Sequence, residues 1–100
     1  MPLNIIIREA CESDLLSLVK YNLALAKETE NLDLNKDTLR LGIQSSFALP
    51  GCHYFVAETE GNVVGQTMIT SEWSDWRNGT IWWMQSVYVH PSYRKQGVFH

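Results

Sequence analysis

At Pro50-Gly51 the spacing of apolar residues changes, and that change limits most of what the chain can fold into. Before it, Leu15, Leu16, Val19, Leu23 and Ala26 recur every three or four residues, which is the period of one helical face. Leu39, Ile43 and Phe47 repeat the pattern at intervals of four. From His53 onward the period falls to two, as it does along a strand with one covered face. A chain with a helical first half and a stranded second half folds as layers, with helices over a sheet.

Finer signals set the order of elements. Residues 3–8 are β-branched and short, which predicts a first strand, and Glu12-Ser13-Asp14 offers caps and negative charge to a helix start. Residues 29–35 are polar and break the helical pattern; Asn35 or Asp37 can cap a second helix, which Pro50-Gly51 ends. Residues 54–57 and 63–69 flank Glu60-Gly61-Asn62 in the manner of a β-hairpin. After a polar loop over 73–79, residues 81–89 are apolar on both faces, which predicts a central strand buried between layers. The fold class that follows is α+β, β-α-α-β-β-β, with helices covering a largely antiparallel sheet.

Composition removes several functions. One hundred residues at net charge −3 make one small domain without the basic surface that phosphate backbones require, so nucleic acid is not an expected partner. The run Ile5-Ile6-Ile7 is too short for a secretory core, and no apolar stretch reaches membrane-spanning length, so a cytoplasmic protein is expected. Cys11 and Cys52 stand far apart, which suits free thiols in a reducing compartment. Asn78-Gly79 reads as a hairpin turn rather than as part of a glycosylation acceptor. His53, His90 and His100 lack metal-ligand spacing, so no metal site is expected, and neither a Gly-x-Ser-x-Gly elbow nor a Walker loop occurs.

The last residues carry the chemistry. A strand-like segment ending Val87-Tyr88-Val89 runs through Pro91 into Arg94-Lys95-Gln96-Gly97-Val98-Phe99. Glycine lets backbone N–H groups close on an anion, and Arg94 and Lys95 add charged contacts, so the segment reads as a phosphate loop at the start of a helix near Val98. A solvated basic turn is the plainer alternative.

Phe55-Val56-Ala57-Glu58-x-x-Gly61-x-Val63-Val64-Gly65, followed by Val87-Tyr88-Val89-x-Pro91-x-x-Arg94-Lys95-Gln96-Gly97-Val98, resembles the GNAT superfamily of acyl-CoA-dependent N-acyltransferases. Phe99 stands where that family usually has Gly or Ala. The resemblance covers the whole chain as the N-terminal part of such a domain, so residues 1–100 are expected to be one N-acetyltransferase-like domain whose C-terminal part is missing. It implies acetyl-CoA as cosubstrate, with the pyrophosphate on residues 94–99 and the pantetheine arm paired to free backbone groups of Val87, Tyr88 and Val89 beside a bulge. It further implies transfer of the acetyl group to a primary amine of a small molecule or protein.

For the remaining roles the residues offer candidates only. Glu72, at a strand end before Trp73, is the carboxylate considered as general base, against a solvated loop glutamate. Gln85 and Ser86 could orient a water or be satisfied core polar groups. Acceptor recognition is expected from residues 28–33, with Glu28, Glu30 and Asp33, and from an aromatic wall of Trp73 and Trp76; a solvated acidic loop and a hydrophobic lid are the plainer readings. The competing function is a non-catalytic fragment or a homodimerising module, since a chain ending after residues 81–89 leaves that strand as an apolar edge.

Overall fold

The computed structural model describes residues 4–94. Strand β1 (Ile6–Glu9) leads through a 3-10 turn (Glu12–Asp14) into helix α1 (Leu15–Glu30) and helix α2 (Lys36–Ser46). Strands β2 (Cys52–Thr59), β3 (Asn62–Ser74) and β4 (Gly79–Val89) follow, and a second 3-10 turn spans Pro91–Tyr93. The four strands form one antiparallel sheet in the order β1-β2-β3-β4. Both helices lie on one face of it, as the change of period at Pro50-Gly51 requires. Among the described residues no helix is long and apolar enough to cross a membrane.

Local chemistry explains the element ends. Asn31 takes a left-handed φ of 50° and its N–H closes onto Ala26 and Lys27, so α1 runs two residues into the stretch that the sequence breaks at Thr29. The Asn35 side chain accepts from the Thr38 N–H at 2.9 Å and settles which residue caps α2. Glu60 and Gly61, at φ of 51° and 79°, make the tight turn between β2 and β3 with the handedness a twisted hairpin needs. The second hairpin turns over residues 75–78, ending with Asn78 at φ 50°. Trp73 therefore lies in β3 rather than in a loop.

The core forms where α1 and α2 meet the sheet. Leu18, Val19, Ile43, Tyr54 and Val56 are buried together, with Leu15, Leu23, Leu39, Phe47 and Met68 around them. Leu16, placed on the apolar face by its spacing, is 78% exposed; the face is rotated toward Leu18 and Asn22. On the opposite face of the sheet Ala57 and Val64 make a smaller cluster with Val89 and Tyr93.

Among the described residues β4 pairs with β3, and Trp82, Trp83, Met84 and Val87 are exposed, so the burial expected of residues 81–89 on both faces is not supplied by these residues.

A charged pair fastens the N-terminal strand to the helices. Arg8 meets buried Asp14 through two bonds of 2.8 and 2.9 Å, and Glu58 at 3.4 Å. Asp14 also accepts from the Cys11 N–H at 2.9 Å. The Arg8 guanidinium, ahead of the opposing effect of burial, holds the Asp14 carboxyl below its ordinary value.

Two outcomes follow for stability. Leu18→Ala should cost about 2–5 kcal/mol in urea unfolding, because the site is fully enclosed. Asp14 is more acidic folded than unfolded, so its contribution is complete above the ordinary carboxylate pKa and is lost as pH falls through the lowered folded value. Asp14→Asn should flatten that acid limb and cost about 1.5–3 kcal/mol at neutral pH. A variant as stable as wild type at pH 7 would show that the pair contributes nothing.

Candidate functional site

The sheet is irregular at one place along β4. Gln66 of β3 stands opposite Tyr88, but Met68 stands opposite Gln85, so Ser86 and Val87 share one partner position. Ser86 takes a φ of 53°, a left-handed conformation that a residue with a side chain adopts only when its surroundings hold it there. The result is a β-bulge.

Buried side chains supply what the interrupted ladder loses. Gln66, fully enclosed, donates from Nε2 to the Ser86 carbonyl at 3.0 Å, and Thr67 Oγ1 donates to the Gln85 carbonyl at 3.3 Å. Asn22 of α1 stands behind Gln66, its Nδ2 donating to the Leu18 carbonyl at 2.9 Å and reaching the Tyr54 hydroxyl at 3.3 Å and Gln66 Oε1 at 3.5 Å. Burial raises the Tyr54 pKa, so the phenol stays neutral in this network. Among the described residues every buried side-chain nitrogen or oxygen has a partner.

Beyond the bulge the strand presents backbone to the groove. The His90 N–H donates to the Val64 carbonyl at 2.8 Å, which turns residue 90 toward β3. Backbone groups alternate in direction along an antiparallel strand, so Tyr88 also faces β3 while Val87 and Val89 face outward. Beside them a groove of about 300 Å³ is lined by Leu25, Glu28 and Thr29 of α1 and by Val87, Tyr88, Val89 and Arg94. A second volume of about 410 Å³ shares Leu25, Thr29 and Val87 with it and continues past the bulge to Asn22, Glu30, Leu34 and Ser86. One continuous cleft thus passes the outward edge of β4.

Its electrostatics are mixed. Arg94 lies 3.0 Å from Glu28, donates from Nε to the Val89 carbonyl at 2.9 Å and stacks 5.2 Å from the centre of the Tyr88 ring. The Tyr88 hydroxyl, and then Arg94, hold the Glu28 carboxyl below its ordinary value. Burial, with Glu28 beside it, pushes the Tyr88 phenol up. The Tyr88 ring is braced from behind by Tyr21 at 5.2 Å. Outward amides, an apolar wall and a cation at one end fit an extended amide-bearing arm that ends in an anion.

The structure brings Val87, Tyr88, Val89, Arg94 and Glu30 into this cleft. Lys95, Gln96, Gly97, Val98 and Phe99 lie outside the described residues. Glu72, Trp73 and Trp76 are not brought to it; they lie on the distal part of the β3–β4 hairpin. Glu72 accepts from Trp83 Nε1 at 2.7 Å and pairs with Ile81. Ile81 stands five residues from Ser86, about 17 Å along the strand. Trp76 is 96% exposed at the turn. Gln85, exposed, donates to Thr70 Oγ1 at 2.6 Å. Among the described residues no group of three or more His, Cys, Asp and Glu side chains could hold a metal ion.

Gln66, Asn22 and Tyr54 were missed by sequence reasoning. Their signal was present: Asn22 interrupts the buried stripe of α1, and Gln66 sits between Val64 and Met68 where a strand core should be apolar.

Comparison with known proteins agrees with this geometry. A family model described as the acetyltransferase (GNAT) family matches residues 19–98. The chain is 46% identical to a possible acetyltransferase from Clostridium difficile 630, with a TM-score of 0.89 over 95% of this chain. It spans 63% of that protein's length. An integron cassette protein from the Cole Harbour Salt Marsh metagenome shares the fold at a TM-score of 0.84 and 19% identity, over 92% of this chain and 60% of that one. A predicted acetyltransferase with acetyl-CoA from Clostridium acetobutylicum does so at 0.75 and 18%, over 94% of this chain and 65% of that one. No curated protein matches.

The network behind the bulge can be tested directly. Gln66→Leu keeps the volume but leaves the Ser86 carbonyl without its buried donor, so stability should fall by about 1–3 kcal/mol in chemical denaturation. An unchanged midpoint would mean that the bulge holds itself.

Proposed function

The chain belongs to the GNAT acetyltransferase family, and on that premise we propose that it transfers an acetyl group from acetyl-CoA to a primary amine. The observation that carries this reading is the Ser86 bulge, which sets the outward backbone of Val87 and Val89 along a cleft wide enough for an extended arm. Acetyl-CoA, when bound, supplies an activated thioester at the end of such an arm.

This chain's residues do the rest. The outward groups of Val89 pair with the amides of the arm as a neighbouring strand would. The outward N–H of Val87, next to the bulge, would stabilise negative charge developing on the thioester oxygen of a bound acetyl-CoA. The acceptor, having given its ammonium proton to solvent water, would bond as a neutral amine to the acetyl carbon as the carbon–sulfur bond breaks, and its excess proton would pass to the departing CoA thiolate, with both reactants held in one cleft. Glu30, in the part of the cleft that passes Ser86, receives the acceptor as its ammonium form. Lys95, Gln96, Gly97, Val98 and Phe99, outside the described residues, are assigned to the pyrophosphate on the likeness of their sequence to the family's phosphate loop. The free cysteines Cys11 and Cys52 suit a reducing cytoplasm.

The second reading is a non-catalytic module that self-associates through β4, for which the exposed Trp82, Trp83 and Met84 are the observation. Sedimentation with and without acetyl-CoA separates the two: self-association without ligand binding favours the module.

Calorimetry with acetyl-CoA tests the reading. Val89→Pro removes an outward N–H, and proline is tolerated there because Tyr88 before it is extended and the lost donor faces away from the sheet. Affinity should fall about fivefold or more while the unfolding transition stays cooperative. Unchanged affinity would remove β4 from the binding surface. In acetyl transfer to a cationic amine, followed by mass spectrometry, Glu30→Gln should raise KM about fivefold, and Glu72→Gln should leave both constants unchanged. A loss of kcat in the Glu72 variant alone would return the proton-accepting role to the hairpin.

A further inference from the structure

The groove's one cation is already engaged among the described residues. Arg94 reaches the Glu28 carboxylate at 3.0 Å, while its Nε covers the Val89 carbonyl at 2.9 Å and its guanidinium carbon lies over the Tyr88 ring, 5.2 Å from its centre. It therefore caps the outward carbonyl of Val89, one of the β4 backbone positions beside the groove, and it neutralises one carboxylate of the cleft. Both side chains remain accessible, 42% and 43% exposed, so solutes can compete for either partner.

We propose that Arg94 and Glu28 are an exchangeable pair: an anionic ligand entering the groove takes Arg94, uncovers Val89, and leaves Glu28 to hold a cationic acceptor. The inference rests on the acetyl-CoA reading above and deepens it by adding Glu28, two residues before Glu30 on α1, as a second carboxylate for a cationic acceptor. At Arg94 the exchange is close to even, because a phosphate accepts the guanidinium fork much as a carboxylate does. What is gained is a carbonyl that can accept an N–H from an extended arm. What is released is a carboxylate on the last turns of α1, with Tyr88 and Thr29 beside it and no cation on it. The two ligands then favour one another by the same factor in either order of addition. A neutral acceptor gains nothing from the exchange.

Titration calorimetry of the protein and of Glu28→Gln with CoA, and with uncharged pantetheine as control, reads the first half. The variant should bind CoA about threefold tighter, since the competing anion is gone, and pantetheine equally. NMR titration of the Glu28 carboxyl reads the exchange itself: CoA at saturation should raise its pKa toward the ordinary carboxylate range. 1,4-Diaminobutane reads the second half, binding more tightly to the CoA-saturated protein than to the free one, with that difference absent in Glu28→Gln. CoA binding with an unmoved Glu28 titration, or equal CoA affinity in both proteins, overturns the exchange and leaves the acetyl-CoA reading standing. No CoA binding to either protein overturns both.

Discussion

Everything at the edge of the sheet depends on one buried amide. Gln66 is enclosed between α1 and β4 and holds the Ser86 carbonyl at 3.0 Å. A bulge gives up regular ladder bonds and here places a serine in a conformation that suits glycine. Inside a protein an unpaired carbonyl costs more than the bond it replaces, so the bulge persists because a side chain answers it. The outward turn of Val87 and Val89 follows, and with it the binding surface.

Helix α1 joins this arrangement to the fold. Leu18, Val19 and Ala26 face the core, Asn22 supports Gln66, and Leu25, Glu28 and Thr29 form the far wall of the groove. One rigid helix thus sets core packing, bulge support and cleft width together. A loss of core volume under Leu18 or Val19 should shift the groove wall, because a close-packed interior transmits displacement. Arg94 ties the other end, joining the residue after the last turn to both walls of the cleft.

Much of the fold was legible in the sequence and the site only partly so. The change of period at Pro50-Gly51 carries the layer order and Glu60-Gly61 carries the first hairpin turn, because local periodicity and positive φ are written in single residues; the second turn spans residues 75–78, with Asn78 at its end and Gly79 already in β4. The rotation of α1 toward Asn22 was not legible, since a polar residue on a buried face looks like a break in the pattern until its partner at Gln66 is known. The exposure of Trp82, Trp83 and Met84 was not legible either: apolar content says nothing of which elements lie beside a strand. Val87, Tyr88, Val89 and Arg94 were selected from the strand-to-loop segment and the family resemblance, and they line one groove. Arg94 meets Glu28 rather than standing toward solvent, a contact across 66 residues that no local pattern encodes. Glu72 was selected for standing at a strand end, but β3 continues through it, and it bonds to Trp83.

The central claim is that the bulge leaves Val87 and Val89 facing outward, ready to pair with an extended ligand. Amide hydrogen exchange measured residue by residue tests it. In the free protein the Val87 and Val89 amides should exchange fast and the Tyr88 amide between them slowly, and acetyl-CoA should protect the first two without changing the third. Equal protection of all three in the free protein, or protection by acetyl-CoA that falls elsewhere on the sheet, would contradict the account.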